Sequence, residues 1–245
     1  MKRISLLHPS RGRPEKCNET DRYWIEHAGN VDLELIVSLD ESDLSVQSGK
    51  YTHVRSLASP FTSTGRIIPG KDYTIRNDNK SVVEATNKAA EISTGDILVY
   101  LSDDFKCPEN WGELILKEYE DITDPCLLKV DDCLQKFDVP VLTIPIMNRA
   151  LYERLGYFWH PGYRSMFVDE DLYWTARKLN ALKMAPHLAF HHEHPANGKA
   201  LDDETYRRSA ANWKQGESMF AQRKAQGFPI SQSKADILRF KNHSI

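Results

Sequence analysis

No apolar run in this 245-residue chain approaches the length that spans a bilayer. Met1-Lys2-Arg3 leads into only a few apolar residues before His8-Pro9, too few for the core of an export signal. Cysteine is scarce too. Cys17, Cys107, Cys126 and Cys133 form no Cys-x-x-Cys pair, and in a chain without an export signal they read as reduced thiols of a cytoplasmic protein. A net charge of -3 gives no global signature of nucleic-acid binding, although a local basic patch would escape that count. There is no internal repeat and no low-complexity tract. What is present, 40% apolar and 27% charged residues, suits an ordinary globular protein of one large α/β domain or two small ones.

The most informative stretch is Ile97-Leu98-Val99-Tyr100-Leu101-Ser102-Asp103-Asp104-Phe105, an apolar run of strand length that stops at two carboxylates. A strand apolar throughout is buried on both faces, as in a parallel sheet covered by helices, and ligands bind beyond the carboxyl ends of such strands. Ile4 to His8 reads as a first strand, followed by the stiff loop Pro9-Ser10-Arg11-Gly12-Arg13-Pro14 and a helix to about Gly29. Leu33 to Leu39 is a second strand ending at Asp40, so a βαβ unit opens the chain. Residues 44–72 read as a variable connection, part of a lid. Tyr73 to Arg76 is a short strand, and Ser81-Val82-Val83-Glu84 fits a capping box opening a helix to about Ser93. Further on come a helix from Trp111 to about Asp121, a strand-like Val141 to Ile146, a helix Arg149 to Leu155, and an aromatic loop Tyr157 to Tyr163. The aromatic loop reads either as core or as a stacking surface for a sugar or base. A helix after Asp171, a strand Met184 to Phe190, a helix Asp202 to about Gln226 and a polar tail Ser231 to Ile245 complete the chain.

Acidic or imidazole clusters recur at strand ends and helix starts: Asp40/Asp43, Asp103/Asp104, Asp169/Glu170/Asp171 and His191/His192/His194. Paired carboxylates at a strand end suit Mg²⁺ or Mn²⁺ completed by substrate phosphates, and imidazole favours Mn²⁺. Each cluster alone equally fits solvated surface or helix-dipole chemistry. Three successive acids, partly buried, raise the pKa of at least one, which suits a general base.

These features, in this order and spacing, resemble the nucleotide-sugar-dependent glycosyltransferases of the GT-A fold, nearest the inverting family 2. The resemblance rests on the Pro9-to-Pro14 loop, the strand ending at Asp40, the Asn79-to-Asn87 helix with Ala90 and Gly95-Asp96, Leu101-Ser102-Asp103-Asp104 as an Asp-x-Asp-like motif, and Glu170-Asp171-Leu172 with Arg177. It covers about residues 3 to 195 and departs from the pattern at Ser102, where an Asp is expected. It implies a three-layer Rossmann-like domain over 1–200, residues 1–104 binding the donor and 105–200 the acceptor, with 201–245 as a C-terminal helix and tail. Pro9, Ser10, Arg11, Arg13, Asp40, Ser102 and Asp103 would line the donor site. Arg76 or Lys80 would assist electrostatically. Asp104 with His192 or His194 would hold Mn²⁺ or Mg²⁺. Asp171, with Glu170 second, would be the base of an inverting sugar transfer to an acceptor hydroxyl of a glycan or a modified DNA base. A nucleotidyltransferase of related fold is a rival, disfavoured because only Gly12 stands where its glycine-rich, Lys-containing loop belongs. A non-catalytic nucleotide- or sugar-binding module is the other.

Overall fold

The computed structural model describes residues 2–51, 73–200 and 203–230. The 52–72 part of the expected variable connection and the 231–245 tail lie outside them. Strands β1 (Arg3–Ser10), β2 (Asp32–Asp40), β3 (Tyr73–Asn77) and β4 (Ile97–Tyr100) run parallel, in the spatial order β3-β2-β1-β4. The sheet continues through β7 (Ile146–Asn148), antiparallel to β4, and β6 (Leu127–Asp131) to β8 (Leu182–Ala189), which is parallel to β6. Helices α1 (Pro14–Glu26) and α4 (Trp111–Glu118) cover one face. On the other lie α3 (Val82–Ile92), α5 (Arg149–Leu155) and α6 (Val168–Lys178).

Strand periodicity explains both faces. Ile4, Leu6, Leu35, Val37, Ile97 and Val99 point into the cluster beneath α1 and α4, while Leu7, Ile36 and Leu98 point into the cluster beneath α3. The central strands are therefore apolar without alternation because they are buried twice. On the first face the Trp24 and Trp111 rings stand 5.1 Å apart. Trp24 Nε1 donates to the Phe105 carbonyl at 3.1 Å and Trp111 Nε1 to the Trp24 carbonyl at 2.7 Å, so each buried indole is satisfied. On the second face Asn87 of α3 pins the aromatic loop: its Oδ1 accepts from Phe158 N and Trp159 N, and its Nδ2 donates to the Trp159 carbonyl.

Two expectations change. Val141 to Pro145 is not strand, and pairing starts only at Ile146; Pro145 has no N–H to offer a ladder. The strand at Leu127–Asp131 replaces it in the sheet. The long C-terminal helix is two helices, α7 (Glu204–Ala210), capped by the Asp203 side chain, and α8 (Trp213–Ala225). Gly216 of α8 packs on the loop before α6 so closely that a Cβ there would collide with the Met166 carbonyl. Among the described residues no helix is long and apolar enough to cross a membrane.

Candidate active site

A cleft of ≈ 300 Å³ opens beyond the carboxyl ends of β1 and β4 and runs into a smaller cavity of ≈ 140 Å³ at the end of β2. Pro9, Ser10 and Arg11 line both, Asp40, Asn79 and Lys80 line the smaller one, and Arg13, Ser102, Asp103 and Asp104 line the larger. His192, His194, Trp159, Phe167 and Asp169 complete the larger cleft. Sequence positions more than 180 residues apart thus meet in one hollow.

The β1–α1 loop is held residue by residue. Arg11 pairs with Asp40, Gly12 N donates to Asp43 Oδ2 at 2.6 Å, and Arg13 Nη1 donates to Asp103 Oδ1 at 2.6 Å. Gly12 takes φ +71°, a conformation that side-chain-bearing residues rarely adopt, so the turn needs glycine. The Asp40/Asp43 cluster is committed to this loop and to capping α2 (Leu44–Gln47), where Asp43 Oδ1 accepts from Ser45 N. Arg13 is 8% exposed and its guanidinium lies 4.6 Å from the centre of the Tyr206 ring.

The Asp104–histidine pair has a local cause. β5 (Phe105–Lys106) and β9 (His191–His192) form a two-stranded ribbon in which Phe105 pairs with His192. Glu193 N donates to the Asp104 carbonyl at 2.7 Å, and the Phe105 and His192 rings stack at 4.2 Å. This register brings His192 Nε2 to 3.2 Å from Asp104 Oδ2. His194 lines the cleft but its Nδ1 accepts from Ala196 N, so of the two histidines His192 is the one that meets Asp104. Burial alone would raise the Asp104 carboxyl; the hydrogen bond and charge of His192, with the Ser102 and Tyr206 hydroxyls, outweigh it and hold it down at about 2. Asp103 goes the other way, raised because burial outweighs the Arg13 charge.

Asp104 Oδ1 is buried without a hydrogen-bond partner among the described residues. An unspent carboxylate oxygen beside an imidazole is an oxygen–nitrogen donor set suited to Mn²⁺ or Mg²⁺, leaving positions for phosphate oxygens. The residues present therefore fit a divalent ion with Asp104 and His192 as its protein ligands. A second group, His8, Cys17 and Asp21, is fully buried. Its His8 Nδ1 to Asp21 Oδ1 distance of 2.6 Å is a hydrogen bond tying β1 to α1 rather than the edge of a metal polyhedron.

The acidic triplet at the start of α6 divides sharply. Asp171, expected as the base, is 1% exposed and faces away from the cleft. Both of its oxygens are taken: by Arg223 of α8 at 2.5 and 3.2 Å, by the Tyr163 hydroxyl at 2.9 Å and by Thr175 at 3.2 Å. A carboxylate so enclosed has no route to a substrate proton. Glu170 also lies off the cleft, beside Lys224. Asp169 is the member that lines it, and burial raises its carboxyl despite the backbone N–H groups at the helix start. Of the two expected electrostatic helpers, Lys80 lines the smaller cavity, whereas Arg76 is exposed on the edge strand and lines none of the cavities described. Tyr206 lines the cleft and Asp203 pairs with Arg13, both from a segment that the sequence marks only as a C-terminal helix.

No family model matches the chain, and no curated protein is significantly similar to it. Solved structures do resemble it. One is the mannosyltransferase PcManGT from Pyrobaculum calidifontis, in complex with GDP-Man and Mn²⁺, which superimposes with a TM-score of 0.65 at 14% identity, covering 98% of this chain and 69% of that one. Glucosyl-3-phosphoglycerate synthase from Mycobacterium tuberculosis, in complex with Mn²⁺, UDP and phosphoglyceric acid, gives 0.56 at 14% identity over 95% and 80%. S. aureus TarS residues 1–349, in complex with UDP, gives 0.53 at 13% identity over 78% and 59%. The chain has the GT-A fold.

Proposed function

We propose that the protein is a metal-dependent glycosyltransferase that moves a sugar from a nucleoside-diphosphate donor to an acceptor hydroxyl with inversion. The observation that carries this reading is the cleft itself: Asp104 with His192 at one place and the raised carboxyl of Asp169 at another, both at the carboxyl edge of the sheet. Likeness in fold to transferases solved with GDP-Man or UDP and Mn²⁺ supports the donor class.

In this reading the smaller cavity takes the nucleoside and Arg13 faces the diphosphate, a bidentate match of guanidinium to phosphate. Asp104 and His192 would hold a divalent ion, which would supply Lewis-acid stabilisation of the charge on the departing diphosphate. Trp159 and Phe167 offer apolar ring faces to the acceptor glycan beside Asp169. Asp169 takes the acceptor's proton as its oxygen bonds to the anomeric carbon; the bond from that carbon to the diphosphate oxygen breaks, and the nucleoside diphosphate leaves with the electron pair. A single displacement of this kind inverts the anomeric centre. Trp159 is fixed through Asn87 and Asp169 through the first turn of α6, so both belong to rigid elements.

The test is a panel of nucleotide sugars with Mn²⁺, read as release of nucleoside diphosphate, for the wild type and Asp169→Asn. A general base contributes roughly 10²–10⁴-fold, so the variant should lose that much turnover while its affinity for the nucleoside diphosphate stays within about twofold. Full activity in Asp169→Asn sinks the assignment of the base.

A further inference from the structure

Arg13 and Asp104 are the groups that the proposed reading aims at the diphosphate and its ion, and one short helix already holds both. Asp203, the N-cap of α7, accepts from Arg13 Nε at 2.8 Å and Nη2 at 2.6 Å. This fork-on-fork pairing has the planar, bidentate geometry that guanidinium makes with phosphate. One turn along, the Tyr206 hydroxyl donates to Asp104 Oδ2 at 2.9 Å, and the Tyr206 ring lies against Arg13 and edge-on to His194. Asp104 is 7% exposed beneath it, and Tyr206 satisfies Oδ2 while Oδ1 is buried with no hydrogen-bond partner among the described residues. A charged oxygen left in that state is costly, and a divalent ion would relieve it.

We propose that α7 is a latch that competes with the donor: Asp203 stands in for the diphosphate on Arg13, and Tyr206 holds Asp104 Oδ2, the oxygen that faces His192 Nε2 and that an ion bound by both side chains must reach. The inference rests on the transferase reading above. Asp203 and Tyr206 are three residues apart on a single turn, so prising either contact open loosens the other. Ion and diphosphate therefore bind with positive cooperativity, each removing part of the cost the other would meet, and by linkage the effect is the same in both directions.

Calorimetric titration of Mn²⁺ alone, and of UDP, GDP, CDP, ADP and TDP in saturating Mn²⁺, tests this on the wild type, Tyr206→Phe and Asp203→Ala. Tyr206→Phe keeps the ring contacts and removes only the hydroxyl, so it should fold with a thermal midpoint lowered by only several degrees. It should bind Mn²⁺ roughly tenfold to a hundredfold more tightly, the effect of releasing one hydrogen bond to a charged group. Asp203→Ala should bind its preferred diphosphate several-fold more tightly. Equal or weaker binding in the variants overturns the latch and leaves the transferase reading in place, because α7 would then belong to the bound state. If none of the diphosphates binds any of these proteins, the donor reading falls and the latch with it.

Discussion

Two positions separate Asp169 from Asp171, a rotation of roughly 200° on a helix. That rotation puts one carboxylate in the cleft and the other against Arg223. Their chemistry follows from where they face. Asp169 loses water by burial, and neither the backbone N–H groups of the helix start nor the Lys129 charge offsets that loss, so its carboxyl is raised. A base must be ionised to accept a proton, so kcat/KM should fall as the pH drops through this raised value, placing the acid limb above the ordinary carboxylate range. A pH–rate profile whose limb sits at or below that range would count against Asp169. The same shift has the opposite sign for stability. A folded-state pKa above the unfolded one penalises the fold at neutral pH and stops doing so once both forms are protonated. Asp169→Asn should therefore raise the urea midpoint at pH 7 while it removes activity, a trade expected of a functional carboxylate.

At the scale of elements, α8 is clasped to α6 by the Arg223–Asp171 pair, with both side chains under 5% exposed. Cutting one partner of a buried pair strands the other, at a cost of about 3–5 kcal/mol, whereas replacing both by apolar groups is often neutral. Arg223→Met should therefore lose that much stability in urea unfolding, and Asp171→Leu with Arg223→Met should recover most of it. A cost below about 1 kcal/mol for the single change would show that the clasp holds nothing. The sequence carried a sign of this division. Val168, Asp171, Leu172, Thr175 and Ala176 follow helical spacing and are all buried, so Asp171 falls on the apolar stripe and Asp169 off it. The strands β1, β2 and β4 were legible for a plain reason: double burial leaves unbroken apolar runs. Leu127–Asp131 was not, since Lys129 and Asp131 interrupt its pattern; Lys129 is buried by donating to the Val141 carbonyl, a tertiary contact that local sequence does not show. The break between α7 and α8 was hidden because Ala211-Asn212 contains neither glycine nor proline.

Over the whole molecule, the cleft joins the two ends of the chain. Arg13 follows the first strand, Asp104 the fourth, His192 belongs to the last, and Tyr206 comes from the C-terminal helices. The Asp pair could be read from its place at a strand end. The partners from β9 and α7 could not be chosen, because only the β5–β9 register distinguishes His192 from His194 and nothing local links Tyr206 to Asp104. A ligand that bridges Arg13, Asp104 and His192 should tie the β1–α1 loop, the end of β4 and β9 to one another. Binding to the folded state alone adds about 2.7 kcal/mol at a hundredfold excess over Kd. For a chain of this length each kcal/mol is worth ~2–4 °C, so the preferred nucleoside diphosphate with Mn²⁺ should raise the melting temperature by roughly 5–10 °C. His192→Ala removes one of the two proposed protein ligands and should lose most of the Mn²⁺-dependent part of that shift while keeping any metal-independent part. Equal shifts in wild type and His192→Ala would mean that the ion is held somewhere other than beside Asp104, and the site would have to be redrawn around a different donor set.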